Sequence, residues 1–101
     1  MKKLIIIIVA SFILQNNIHA TSDLKQEIIN RCRAQMSDYG ASIVKTCVDE
    51  DYKAALRIRN LPEKYNSIIN RCRNQMLDYG YSIVLTCINE DIKAAQALDD
   101  Y

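Results

Sequence analysis

The sequence predicts an all-α protein: two tandem disulfide-stapled helical hairpins forming a compact four-helix array. Three observations predict it: an internal repeat of 40 residues, apolar residues recurring at helical spacing within each copy, and cysteines placed symmetrically about a Tyr-Gly turn. Shifting the chain by 40 residues lays Ile28-Ile29-Asn30-Arg31-Cys32-Arg33 on Ile68-Ile69-Asn70-Arg71-Cys72-Arg73, and 21 of the 32 positions in 27–58 are identical in 67–98. A duplication accounts for this, and the period lies in the range of two-helix repeats.

The chain opens with Lys2 and Lys3, an apolar run from Leu4 to Leu14, and a polar stretch ending Ile18-His19-Ala20. This is the three-part layout of a secretory signal peptide, with cleavage expected after Ala20. The run is about half the ~20 residues a membrane-crossing helix needs, so a cleaved signal is expected rather than an anchor. No cysteine follows the cleavage point to take a lipid, and no stable membrane insertion is expected of the product. The expected division is 1–20 signal peptide, 21–60 first hairpin and 61–101 second hairpin.

Residues 21–101 hold 11 Lys and Arg against 12 Asp and Glu. That balance lacks the basic footprint of a nucleic-acid binder or an anionic-lipid binder. The signal also contains the only histidine, His19, which removes histidine catalysis and histidine metal sites by inventory. No cofactor, metal or catalytic residue is assigned.

Within the first copy, Leu24, Ile28, Ile29, Cys32, Met36 and Tyr39 fall in an arc of about 140° at helical spacing, while Glu27, Asn30, Arg33 and Ser37 lie outside it. Gly40 follows as an expected left-handed terminator, and Ser42 stands where a cap of the next helix would. From Ile43 onward, Ile43, Val44, Cys47, Val48, Ala54, Ala55 and Ile58 again gather on one side. Asn60-Leu61-Pro62 then breaks the chain, with Pro62 suited to the first turn of the third helix.

Cys32 and Cys47 are equidistant from the turn, as are Cys72 and Cys87, so an antiparallel hairpin sets each pair level. Helix axes about 8 to 10 Å apart bring facing Cα atoms to about 3.4 to 5.4 Å, overlapping the disulfide range of about 4.4 to 6.8 Å. Of the three pairings four cysteines allow, Cys32 with Cys47 and Cys72 with Cys87 is favoured. Such bridges imply an oxidising compartment, secreted or periplasmic. A four-cysteine zinc site normally has close C-x2-4-C pairs, which are absent.

The copies differ at Lys45 and Leu85, Tyr52 and Ile92, Ser37 and Leu77, and Ala41 and Tyr81, which makes the second hairpin the more apolar. Tyr52, Leu56, Leu85 and Ile92 are expected to join the hairpins through the back faces of their helices. A homodimer is another way to cover such faces.

Asp51 and Asp91 project into the apolar arc, with Gln35, Gln75, Arg31 and Arg71 within or beside the corresponding arcs. These six are expected to form a buried hydrogen-bonded network, with a small polar pocket between the hairpins as the sharper alternative. Arg31-Cys32-Arg33 and its copy are read as solvated arginines rather than an anion site. Glu50 with Lys53 and Glu90 with Lys93 are read as surface pairs. Tyr79 and Tyr81 beside the second turn are expected to offer a small contact patch.

The string N-R-C-R-x-Q-M-x-D-Y-G-x-S-I-V-x-T-C-x-x-E-D-x-K-A resembles short exported bacterial proteins of unknown function with a C-x14-C unit, a central Tyr-Gly and a Cys-Val-x-x-Asp ending. The resemblance covers both copies, although the second reads Cys87-Ile88. It implies export and repeat architecture and lends no activity. Saposin-like and twin C-x9-C proteins also staple helices, but their cysteine counts and spacings differ from these.

The leading expectation is a non-enzymatic binding or structural module with an unidentified protein partner. A membrane-active or toxin-like secreted peptide is the second, and a small hydrolase using Asp51 or Asp91 the third.

Overall fold

A computed structural model describes residues 22–101, so the expected signal segment and its cleavage site lie outside the described residues. Within them the chain forms four α-helices: α1 (22–36), α2 (Ala41–Arg59), α3 (Asn66–Met76) and α4 (Tyr81–Asp99). Single 3-10 turns at Ser37–Tyr39, Glu63–Tyr65 and Leu77–Tyr79 lead into α2, α3 and α4. No strand occurs among the described residues.

The apolar spacing of each hairpin closes on its bridge. Cys32 pairs with Cys47 and Cys72 with Cys87, each with Cα atoms 5.8 Å apart. Ile28, Cys32 and Cys72 are fully buried, with Leu24, Met36, Ile68 and Met76 packed half-buried around them. Tyr39, expected on the apolar face of α1, is 71% exposed because the helix tightens into its 3-10 turn before reaching it.

The two turns are near copies. Gly40 has φ 100° and ψ 164°, and Gly80 has φ 108° and ψ 165°. The positive φ agrees with the sequence, but the extended ψ puts both outside the left-handed helical well, in a region open essentially to glycine. Each glycine stands immediately before the second helix of its hairpin and so occupies the cap position expected of Ser42. Ser42 is already inside α2, where its carbonyl accepts the Thr46 hydroxyl at 3.1 Å; Ser82 and Thr86 repeat this at 3.0 Å. Pro62 is also displaced from its expected place. With ψ 147° it is an extended residue ahead of the 3-10 turn, and α3 begins only at Asn66.

The hairpins meet along α2 and α4. Asp51, Ala54, Ala55 and Ile58 of α2 are buried, as are Tyr81, Val84 and Ile88 of α4. Ala55 and Ile58 line one crevice with Ile69 and Tyr81, and Ala54 lines another with Leu85. Two adjacent alanines leave room for close helix approach, and interaxial distance follows side-chain size at the contact. Tyr52, Leu56 and Ile92 are only half-buried, so the junction lies mainly on the alanine face rather than the expected back face. The Tyr52 ring instead carries the Lys25 ammonium, 5.2 Å from its centroid.

Both bridges lie within hairpins and close loops of 15 residues, a constraint worth about 3 kcal/mol each in the chain-entropy model. Replacing Cys72 and Cys87 together by alanine is expected to cost about that much in urea unfolding, less any gain from relaxed packing, while Cys32 and Cys47 remain linked in a non-reducing peptide map.

Candidate functional site

The polar centre of the molecule is Asp51, only 4% exposed at the junction of the hairpins. Gly80 supplies no side-chain oxygen to cap α4, so the first amides of that helix need an acceptor from elsewhere. Asp51 provides it: Tyr81 donates its N–H to Oδ2 at 3.1 Å and Ser82 donates to Oδ1 at 3.0 Å. The carboxylate also lies at the positive end of the α4 dipole. Arg31 donates from Nη2 to the same Oδ2, and Glu27 one turn earlier lies 3.7 Å from Arg31 Nη1. Each carboxylate oxygen is thus satisfied and the buried charge is balanced, as burial requires.

Two neighbours complete this arrangement. The Tyr81 ring is buried and lies 5.4 Å from the Arg31 guanidinium, a cation–π distance. Burial, with the Glu27 charge adding to it, pushes the Tyr81 phenol up from its ordinary value. A Cβ on Gly80 would stand 2.9 Å from Asp51 Oδ1 and 3.1 Å from Oδ2, so the carboxylate occupies the space that the missing side chain leaves.

The second copy does not repeat the site. Arg71 and Asp91 form an ion pair, but their side chains are 51% and 39% exposed. Among the described residues no helix begins over Asp91 as α4 begins over Asp51. The expected six-residue buried network is therefore corrected to the pair Arg31 and Asp51. Gln35 and Gln75 are exposed; Gln35 donates to the Asp78 carbonyl at 3.3 Å and helps tie the two turns together. The expected Tyr79 and Tyr81 patch is also divided, because Tyr81 is inside the junction while Tyr79 is exposed. On α2 the surface ion pair is Lys45 with Asp49 at 2.7 Å, not the expected Glu50 with Lys53.

A shallow cleft of about 290 Å³ lies over the junction, lined by Arg31, Gln35, Glu50, Asp51 and Tyr79 among others. Its central carboxylate is already committed to two amides and a guanidinium. Among the described residues no three His, Cys, Asp or Glu side chains gather as a metal site needs, and no helix is long and apolar enough to cross a membrane.

The chain has no significant match to a protein-family model, a curated protein or a solved structure. Its two tandem hairpins, each with one bridge across 15 residues, stand on the chain's own geometry.

Two sets of variants separate the copies. Asp51→Ala strands the half-buried Arg31 and uncaps α4, and is expected to cost about 3 to 5 kcal/mol in urea unfolding. Asp91→Ala breaks an exposed pair and is expected to cost no more than about 1 kcal/mol. Both turn glycines hold a strained backbone, so alanine at either is destabilising. Gly80→Ala is expected to lower the thermal midpoint more than Gly40→Ala, because a Cβ at Gly40 meets nothing within 4 Å whereas one at Gly80 strikes Asp51.

Proposed function

We propose that this chain is an exported, non-enzymatic binding or structural module. The observation that carries the reading is the engagement of its buried carboxylate: Asp51 accepts from two α4 amides and from Arg31 where the hairpins meet. General acid–base catalysis needs a group whose proton can reach a substrate, and a carboxylate engaged on both oxygens is poorly placed for that. The two bridges fit an oxidising destination. The signal-peptide layout of residues 1–20 supports delivery to the periplasm or the medium by cleavage after Ala20.

Half-buried and exposed apolar residues supply the means of binding. Ile29, Ala34, Ala41, Val44 and Val48 line an open groove of about 750 Å³ on the first hairpin, with Arg33 and Lys45 at its edge. A largely apolar surface with a few charges is the composition of an interaction face.

A photocrosslinker placed at Ala34 in the exported protein is expected to capture one protein species, competed away by excess unlabelled chain. Leakage of anionic vesicles and hydrolysis of ester and peptide substrates are expected to stay at background. Vesicle leakage would favour the membrane-active reading instead, and hydrolysis abolished by Asp91→Asn would favour an enzyme.

A further inference from the structure

We propose that the open groove of the first hairpin receives the α4 end face of a second copy of this chain, so that molecules associate head to tail. The inference deepens the binding-module reading by naming its partner. It starts from the junction inside the chain, where hairpin two docks on hairpin one. The docking side of hairpin two is Ile69, Tyr81, Val84, Leu85 and Ile88, buried except for a half-buried Leu85. The receiving side is Asp51, Ala54, Ala55 and Ile58.

The 40-residue offset reproduces each side at the other end of the molecule. Ile29, Ala41, Val44, Lys45 and Val48 are the counterparts of the docking residues, and they line the open groove. Asp91, Ala94, Ala95 and Leu98 are the counterparts of the receiving residues; the alanines are exposed and Leu98 is 65% exposed. One molecule therefore carries a completed junction at its centre and half of a junction at each end. Gly40, like Gly80, offers no side-chain oxygen to the helix it precedes, and the Asp91 carboxylate meets no helix amino-terminus among the described residues. A second copy brings the two together as Asp51 and α4 are brought together here.

The positions at which the copies differ fit an association between molecules. Leu85 and Asn89 share a crevice with Glu50, Lys53 and Arg57; the counterparts facing the Lys45–Asp49 pair are Glu90, Lys93 and Ala97, so the receiving side loses a cation. Arg73 shares its crevice with Arg59, whereas the counterpart of Arg59 facing Arg33 is Asp99. Both changes make the receiving face more negative, and Asp99 would stand opposite Arg33 where Arg59 stands beside Arg73 within the chain, a complementarity that selects partners. Ala41 in place of Tyr81 leaves one slot of this junction unfilled, so the association is weaker than its intramolecular template. The contact is heterologous and can propagate beyond a dimer.

Sedimentation velocity of the purified disulfide-intact chain, from low micromolar up to about 1 mM, tests the proposal. Mass is expected to rise with concentration, and Ala41→Tyr, which fills the empty slot, to tighten association at least tenfold. The exposed-site variants Ala41→Arg and Ala94→Arg, checked for helicity, are each expected to remain monomeric alone and to form a 1:1 dimer when mixed. Wild type and Ala41→Tyr both monomeric throughout, either arginine variant associating by itself, or a mixture that stays monomeric would each overturn head-to-tail association. Because only this chain is present, those results leave capture of a different protein partner untouched.

Discussion

The fold depends on a carboxylate where two hairpins meet. Each hairpin is stapled by its own bridge, but no covalent link other than the chain at Asn60 to Pro62 fixes one hairpin against the other. Asp51 does that by joining three things: the α2 helix that bears it, the amino-terminus of α4, and the Arg31 side chain of α1. Apolar burial supplies attraction between the hairpins without much direction, whereas two backbone N–H hydrogen bonds to two different oxygens specify position and angle. Ala54 and Ala55 make the same demand sterically, since they leave room for α4 to approach.

Much of the fold was legible in the sequence because it is written in local periodicity and in symmetric spacing. The distance of each cysteine from its Tyr-Gly turn favoured the pairing that the structure shows, since level positions in an antiparallel hairpin follow from helix geometry. The junction was less legible. Asp51 and Asp91 sit at equivalent positions in equivalent motifs, and nothing within either 40-residue copy says that one is buried and the other is not. The difference arises 30 residues away along the chain, where Tyr81 and Ser82 offer their amides. Ala41 against Tyr81 and Lys45 against Leu85 hinted at it: the more apolar residues lie in the copy whose helix amino-terminus is covered.

The same cause explains Tyr81 and the glutamines. Tyrosine beside a turn reads as an end-packing or contact residue when the hairpin is considered alone, and it becomes interior once a second hairpin is laid against it. Gln35 and Gln75 fall within the apolar arc on an ideal helical wheel, yet each lies in the last turn of its helix and is exposed there, Gln35 reaching across to the Asp78 carbonyl of the other hairpin.

The placement of the bridges has a consequence for motion. Because both lie within hairpins, the molecule consists of two covalently closed units held together by a noncovalent seam, and opening that seam requires neither bridge to break. Such a partition favours a partial opening in which α1 with α2 and α3 with α4 keep their helices while the surface between them becomes wet. The backbone amides of Tyr81 and Ser82 would then exchange with solvent through the separation of the hairpins, and the backbone amide of Cys72, inside α3, through the slower loosening of a single one. One small chain thus has two tiers of cooperativity, set by where its cysteines fall.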